Sequence, residues 1–165
     1  MNTRYTIEPL TARHDRAAFA CGEPSLNDFL KRYARQNDER GLGRTYVAVI
    51  RDEPRIYGYY TIASGAVSFD AIPEKLPRYP IPVLHLGRLA VDEAAQGQRL
   101  GNILLLDALR RAVTLAGQVG IYGVEVNALN ETAKTFYLKY GFTPLLDDAL
   151  HLWISLKAIR ALGLV

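Results

Sequence analysis

The sequence predicts an α/β fold in which a sheet of mixed direction carries helices on both faces, and three observations predict it. β-branched and aromatic runs alternate with amphipathic runs along the 165 residues, so strands and helices interleave. Two of the runs, residues 44–50 (RTYVAVI) and 55–67 (RIYGYYTIASGAV), flank the turn residues RDEP and pair as a hairpin. A third, residues 83–91 (VLHLGRLAV), is apolar almost without interruption, the pattern of a strand buried on both faces.

The elements follow in order. Residues 4–10 alternate as a first strand, and HDRAAFACGEP reads as a short helical turn closed by Gly22 and Pro24. Ser25 with Asp28 forms a capping box that opens a helix with the buried stripe Leu26, Phe29, Leu30, Tyr33 and Ala34, ending near Arg40 and Gly41. After the hairpin, Pro73, Pro77, Pro80 and Pro82 remove backbone donors, so residues 70–82 are a loop. The strand at 83–91 carries Gly87 as a bulge position and ends at Asp92. Residues 100–116 form the longest helix, burying Leu100, Ile103, Leu104, Ala108, Leu109, Ala112 and Val113, with Gly117 and Gly120 closing it. A strand at 121–126, a helix at 131–140 ended by a left-handed Gly141, and a last strand at 150–156 complete the order. The length suits a single domain over residues 1–165.

Composition excludes several classes. With 49% hydrophobic and 22% charged residues the chain is neither disordered nor fibrous. No run approaches the roughly 18 apolar residues of a membrane span, and MNTRYTIEPL reads as a strand and not as a secretory leader, so a cytoplasmic location is expected. Cys21 is the only cysteine, which rules out an internal disulfide and a thiolate-rich metal site. His14, His85 and His151 show no ligand spacing; they read as unrelated structural or surface residues, and no metal is assigned. The formal charge of +3 permits an anionic partner without demanding one.

Chemistry concentrates in one turn. A buried strand, a glycine-bearing turn and a helix N-terminus make an anion site, because the first backbone N–H groups of a helix are unpaired and its dipole adds positive potential. Gln96, Gly97, Gln98, Arg99, Leu100 and Gly101 occupy that position. Gly97 lets backbone approach phosphate, Gly101 lets the helix start pack tightly, and Arg99 adds a charged donor.

The stretch LGRLAVDEAAQGQRLGNILLLDAL, followed by VEVNALNETAKTFYLKYGF, resembles the core of the GNAT superfamily of acetyl-CoA-dependent N-acetyltransferases, whose pyrophosphate loop is written Q/R-x-x-G-x-G/A. The resemblance implies a mostly antiparallel sheet with a splayed central strand pair. It implies acetyl-CoA as co-substrate, with Leu89, Ala90 and Val91 offering main-chain groups to its pantetheine and acetyl carbonyl. Gln96 and Gly101 match the loop pattern, whereas Arg99 stands where the pattern has its middle glycine; an arginine there is expected to keep an ordinary helical or extended φ. Asn130 matches a position that touches CoA and is equally a good helix N-cap. FYLKYGF matches the pattern that sets a tyrosine, here Tyr137, near the CoA sulfur as general acid, a role suited to a phenol that keeps its proton at neutral pH; the spacing of Ala133, Phe136, Tyr137 and Tyr140 also fits a core stripe. No glutamate or histidine presents itself as general base, which favours an α-amine acceptor, pKa about 7.7 to 8.0, over a lysine near 10.4.

A narrower resemblance bears on the acceptor. HDRAAFACGEPSLNDFLKRYARQ, GYYTIASGAV, LPRYPIPV and LGRLAVD together look like the GNAT toxins of bacterial toxin-antitoxin modules. This implies acetylation of the α-amine of aminoacyl-tRNA, arrest of translation, a ribbon-helix-helix antitoxin as partner and a homodimer. A GNAT enzyme acting on a small amine or a protein N-terminus is the alternative, and a silent binding module, motivated by Arg99, is a third. Lys31, Arg32 and Arg35 on the polar side of their helix, with Arg40 and Arg44 after them, suit a phosphate backbone, although solvated helix faces look alike. Arg88, inside an apolar strand, lines the acceptor site or pairs with an acidic neighbour.

Overall fold

The computed structural model describes residues 4–164. Seven strands lie in one sheet in the order β1-β2-β3-β4-β5-β7-β6. They are β1 (Tyr5–Pro9), β2 (Arg44–Ile50), β3 (Gly58–Val67), β4 (Ile81–Val91), β5 (Gly123–Asn127), β6 (Thr143–Pro144) and β7 (His151–Ser155). β1–β2, β2–β3, β5–β7 and β6–β7 pair antiparallel and β4–β5 is parallel, so the expected α/β fold with a mixed sheet holds. The helices are α1 (Pro24–Asp28), α2 (Ala34–Arg40), α3 (Leu100–Ala116), α4 (Glu131–Lys139) and α5 (Leu156–Ala161).

Contacts divide the chain into two compact units. The first is the chain up to Ala63 with Arg88–Ala108. Its core gathers Phe19, Phe29, Leu30, Ala34, Val47, Val49, Ile56 and Tyr59. Phe29 stacks on Tyr59 with centroids 6.4 Å apart, and the Tyr59 hydroxyl donates to the Leu26 carbonyl at 2.6 Å, which joins α1 to β3. The other face of β3 meets α3: a Cβ on Gly58 would lie 2.8 Å from Leu104 Cδ1 and 3.2 Å from Leu100 Cδ2, so only glycine admits that helix so closely. The second unit is Ser64–Gly87 with the chain from Leu109 onward. Its core joins Val67, Ile72, Ile81, Val83, Leu145 and Trp153, with Tyr122 stacked on Trp153 at 5.6 Å.

Several sequence expectations are corrected. HDRAAFACGEP forms turns, with Asp15 bridging to Arg55, because Phe19 is drawn into the core and the Ala20 N–H is bound by the buried Asp92. The Ser25 capping box is not used: Pro24 starts α1 and Glu23 is the N-cap, since proline at the first helical position loses no intrahelical bond. A π-helical turn, Phe29–Tyr33, separates α1 from α2, with the Ala34 N–H reaching back to the Phe29 carbonyl. The wider turn carries Tyr33 off the buried stripe, to 48% exposure, while Leu30 and Ala34 stay buried. β4 begins at Ile81 and so includes Pro82, whose carbonyl accepts from the Tyr122 N–H at 2.8 Å. The short strand β6 and the terminal helix α5, capped by the Ser155 side chain, have no counterpart in the sequence reading.

Gly123, paired with Ser155, gives a direct test of packing. A Cβ there would fall 2.5 Å from the Ile154 carbonyl and 2.9 Å from Trp153 Cε3. Gly123→Ala is therefore expected to destabilise the protein by about 1–3 kcal/mol, lowering Tm by roughly 2–4 °C per kcal/mol in a calorimetric scan; an unchanged Tm would refute the tight β5–β7 packing.

Candidate active site

β4 ends because Asp92 turns the chain. Its buried carboxylate accepts from the N–H groups of Ala94 (2.9 Å) and Ala20 (3.0 Å), with Arg55 at 3.4 Å. The loop beyond is fastened by its two glutamines. Gln96 Nε2 donates to the carbonyls of Val91 and Cys21, at 3.1 Å each. Gln98 donates to the Ala94 carbonyl at 3.4 Å and accepts from the Tyr5 hydroxyl at 2.9 Å. Both glutamine side chains are thus bonded to protein groups.

That main chain departs from expectation at one residue. Gly97 has φ 82° and Arg99 has φ 62°, so the arginine adopts the left-handed conformation of a glycine. The expectation of an ordinary φ is overturned, because the turn into α3 needs a left-handed residue before Leu100 whatever its side chain. Left-handed residues in a tight turn aim successive N–H groups into one concavity, a nest for anions. The Arg99 carbonyl accepts from the Ile103 N–H at 3.2 Å, so α3 is built from Arg99 onward and the N–H groups of Leu100, Gly101 and Asn102 face its open end. A cavity of about 320 Å³ lies there, lined by Val91, Ala95, Gln96, Gly97, Arg99, Leu100, Gly101 and Asn102, with no carboxylate.

In the second unit, the parallel ladder between β4 and β5 is short. Its register runs Leu84↔Val124, His85↔Glu125 and Leu86↔Val126 and then stops, although β4 continues to Val91. Leu89, Ala90 and Val91 therefore lie beyond the ladder, and Ala90 is buried. Tyr137 on α4 is buried, with Phe136 and Phe142 rings at 5.2 and 5.3 Å. Its hydroxyl has no hydrogen-bond partner among the described residues, and burial alone pushes its ionisation well above the usual tyrosine range. Of the stripe expected on this helix only Tyr137 is buried. Asn130 is the N-cap of α4, its side chain accepting from the Ala133 N–H at 2.9 Å.

Arg88 does not pair with an acidic neighbour. Its guanidinium lies 3.6 Å above the Phe29 ring centroid, a cation–π contact, and it has no acidic partner among the described residues. Burial lowers its ionisation, with Tyr59 opposing. Among the cations from Lys31 to Arg44, Arg32 pairs with Asp28 at 2.8 Å, Arg35 with Glu39 at 3.2 Å and Arg44 with Asp38 at 3.3 Å. Lys31 is exposed and carries no ion pair among the described residues. It shares an open cavity of about 340 Å³ with His14, Asp15, Arg16 and Ala17, and Arg16 donates to the Lys31 carbonyl at 3.1 Å. Sequence reasoning gave Arg16 no role, because it lies in the segment before the helix that carries Lys31, Arg32 and Arg35.

It also passed over a buried carboxylate. Glu125 on β5 is 6% exposed, and two of the histidines read as unrelated converge on it. His85 Nδ1 meets Oε1 at 2.5 Å, and His151 Nε2 bonds Oε2. His151 Nδ1 reaches Asp147 at 2.9 Å. Burial opposes the ionisation of Glu125, yet the two imidazoles outweigh it and hold the carboxyl below its usual range. Burial likewise opposes the charging of His151, and Glu125 with Asp147 raises it above the usual imidazole range. The available signal was one titratable residue in each of three apolar strands, in L-H-L, V-E-V and L-H-L.

The chain is similar to known proteins over most of its length. The model of the acetyltransferase (GNAT) domain family matches residues 41–144. A tRNA-acetylating toxin of Mycobacterium tuberculosis is 40% identical over 151 residues, covering 90% of each chain. The solved structure of AtaT complexed with acetyl-methionyl-tRNAfMet superposes with a TM-score of 0.90 at 36% identity, covering 96% of this chain and 99% of that one. A tyrosine-to-phenylalanine mutant of the toxin AtaT, bound to the C-terminus of the antitoxin AtaR and acetyl-CoA, superposes with a TM-score of 0.85 at 34% identity, covering 97% and 98%.

The left-handed loop separates backbone strain from charge. A left-handed non-glycine costs about 1–2 kcal/mol, so Arg99→Gly is expected to raise thermal stability by up to that amount. Gly97→Ala has open space around its new Cβ and is expected to lose about 1 kcal/mol through φ alone. Paired melting curves in which Arg99→Gly is the less stable protein would show that the arginine is not strained.

Proposed function

The chain belongs to the GNAT acetyltransferase family, and we propose that it is the toxin of a type II toxin-antitoxin module, which moves the acetyl group of acetyl-CoA to the α-amine of aminoacyl-tRNA and so blocks translation. The similarity to a tRNA-acetylating toxin across nine-tenths of both chains is the observation that carries this reading. The whole chain from 1 to 165 acts as one acetyltransferase domain in the cytoplasm, as a homodimer, and is restrained by an antitoxin of the ribbon-helix-helix type. Among the described residues no helix is long and apolar enough to cross a membrane.

The residues present fit the donor. A concave loop with two left-handed residues, an open helix N-terminus, an exposed guanidinium and no lining carboxylate suits a pyrophosphate. In this reading Gln96, Gly97, Gln98, Arg99, Leu100 and Gly101 form the phosphate loop, with the glutamines acting as fasteners. Leu89, Ala90 and Val91 offer main-chain groups released by the short ladder, and Asn130 adds its amide nitrogen. When bound, acetyl-CoA supplies an activated thioester. Tyr137 acts as general acid: it keeps its proton at neutral pH, its hydroxyl is free, and dry surroundings raise a thiolate's demand for a proton as they raise the phenol's hold on it. The left-handed φ of Arg99 removes the observation that motivated a silent binding module. Arg88, held over the Phe29 ring, and the cations Lys31, Arg32 and Arg35 face the nucleic acid, with Arg16 joining Lys31.

Incubation with labelled acetyl-CoA and total charged tRNA is expected to give N-acetylated aminoacyl-tRNA by mass spectrometry. If charged tRNA stays unmodified while a small amine or a protein N-terminus turns over, the substrate assignment fails. Tyr137→Phe is expected to lower kcat about 10²-fold or more while leaving the Kd for acetyl-CoA within a few-fold. An unchanged kcat would remove the phenol from the mechanism.

The free and paired cations make a separate contrast. Lys31→Ala is expected to weaken tRNA binding for all sequences alike and reduce the slope of log Kd against log salt by about 1, whereas Arg32→Ala, whose cation is already paired, changes the slope by much less. Equal slopes for the two variants would refute the assignment.

A further inference from the structure

No step described so far uses the group of His85, Glu125, His151 and Asp147. All four side chains belong to the second compact unit, which also holds Tyr137. Their hydrogen bonds assign their protons. His151 contacts a carboxylate through each ring nitrogen, Asp147 at Nδ1 and Glu125 at Nε2, and can donate to both only as an imidazolium. Glu125 then accepts from His151 through one oxygen and from His85 Nδ1 through the other. His85 is thereby held in the tautomer with its proton on Nδ1 and a lone pair on Nε2, and Nε2 has no partner among the described residues. Its side chain is 33% exposed, against 8% for Glu125. A buried carboxylate orienting an imidazole whose far nitrogen is open is the base half of a catalytic triad.

Position adds to the chemistry. His85↔Glu125 is the second-to-last rung before the β4–β5 ladder stops. Facing it on β3 is Gly65, where a Cβ would come within 3.3 Å of His85 Cβ and 3.6 Å of Glu125 Oε1, so the glycine leaves the pair its room. The titratable groups around His85 are Glu125 from β5, His151 from β7 and Asp147 from the turn before β7; β3 contributes none at Gly65. Glu125 and Asp147 each bring a negative charge and His151 one positive charge, so the surroundings of His85 bear one net negative charge.

We propose that His85 is the general base of the acetyl transfer, that Glu125 is the residue that positions it, and that His151 and Asp147 hold Glu125 in place. The proposal rests on the acetyltransferase reading above. His85 Nε2 takes one proton from the acceptor's ammonium, directly or through one water. The freed lone pair attacks the thioester carbonyl, the C–N bond forms and the C–S bond breaks. The departing thiolate takes the Tyr137 proton, and the second nitrogen proton restores the phenol. Of the three protons on the ammonium, one stays on the amide, one ends on CoA and one on His85, which releases it to solvent.

The test is single-turnover transfer from labelled acetyl-CoA to charged tRNA between about pH 6 and pH 9, spanning the α-amine ionisation at about 7.7 to 8.0. Wild-type activity is expected to persist well below that ionisation. In His85→Gln the rate is expected to follow it, about 10²-fold down near pH 7 and recovering to within about tenfold near pH 9, with acetyl-CoA affinity unchanged. Glu125→Gln, close in shape, is expected to change the profile in the same direction. A His85→Gln loss that is equal at every pH, or a variant rate and profile like the wild type's, would overturn the proposal. Should His85→Gln not fold, the wild-type profile still decides: a rate that merely tracks amine ionisation refutes a protein base. Absence of transfer by the wild type at every pH would instead sink the substrate reading.

Discussion

A parallel ladder that stops after three rungs leaves main-chain groups on a continuing strand that must find other partners. Buried backbone N–H and C=O groups are expensive to leave unpaired, so a strand of this length is stable only if something else bonds to its far end. Part of the answer is internal, since the Val91 carbonyl is taken by the Gln96 side chain. The rest suits a donor with amides of its own. The tight turn at Asp92 and the open start of α3 follow directly on that strand, so its far end runs into a turn whose side chains, and not a neighbouring strand, take up its last carbonyl.

Arg99 shows what that arrangement demands of sequence. The turn fixes a left-handed conformation at that position, and the side chain is secondary to it. A glycine meets the demand without strain; an arginine meets it with strain and adds a cation where a phosphate is expected. Sequence reasoning judged the arginine by its own preference and missed the stronger requirement of the helix start. Tyr33 was misjudged for the converse reason, because a π turn adds a residue that no fixed spacing anticipates.

Most of the strands and the three longer helical patterns were legible, since their apolar periodicity is strong and the glycines at 41 and 141 stop helices with the left-handed φ expected of them. The place of the Gln96–Gly101 turn between β4 and α3 was legible through its glycines, and that of Tyr137 on a helix ended by Gly141 through FYLKYGF. Partnership across the sheet was not. His85, Glu125 and His151 are separated in sequence by 40 and 26 positions, and only the register of β4, β5 and β7 brings them side by side. Arg88 was recognised as needing a partner, but an aromatic face 59 positions away is not a partner that charge pairing would suggest.

The fastening of the loop reaches further than the loop. Gln98 is held by the Tyr5 hydroxyl, on the first strand, and Gln96 by the Cys21 carbonyl in the irregular segment after it. Neither anchor lies in the cavity, yet both act on its shape. The opening stretch of the chain therefore behaves as a tensioning strap: a fusion that pulls on the first strand, or a trimmed start that removes Tyr5, would be felt as slack in a turn more than ninety residues away.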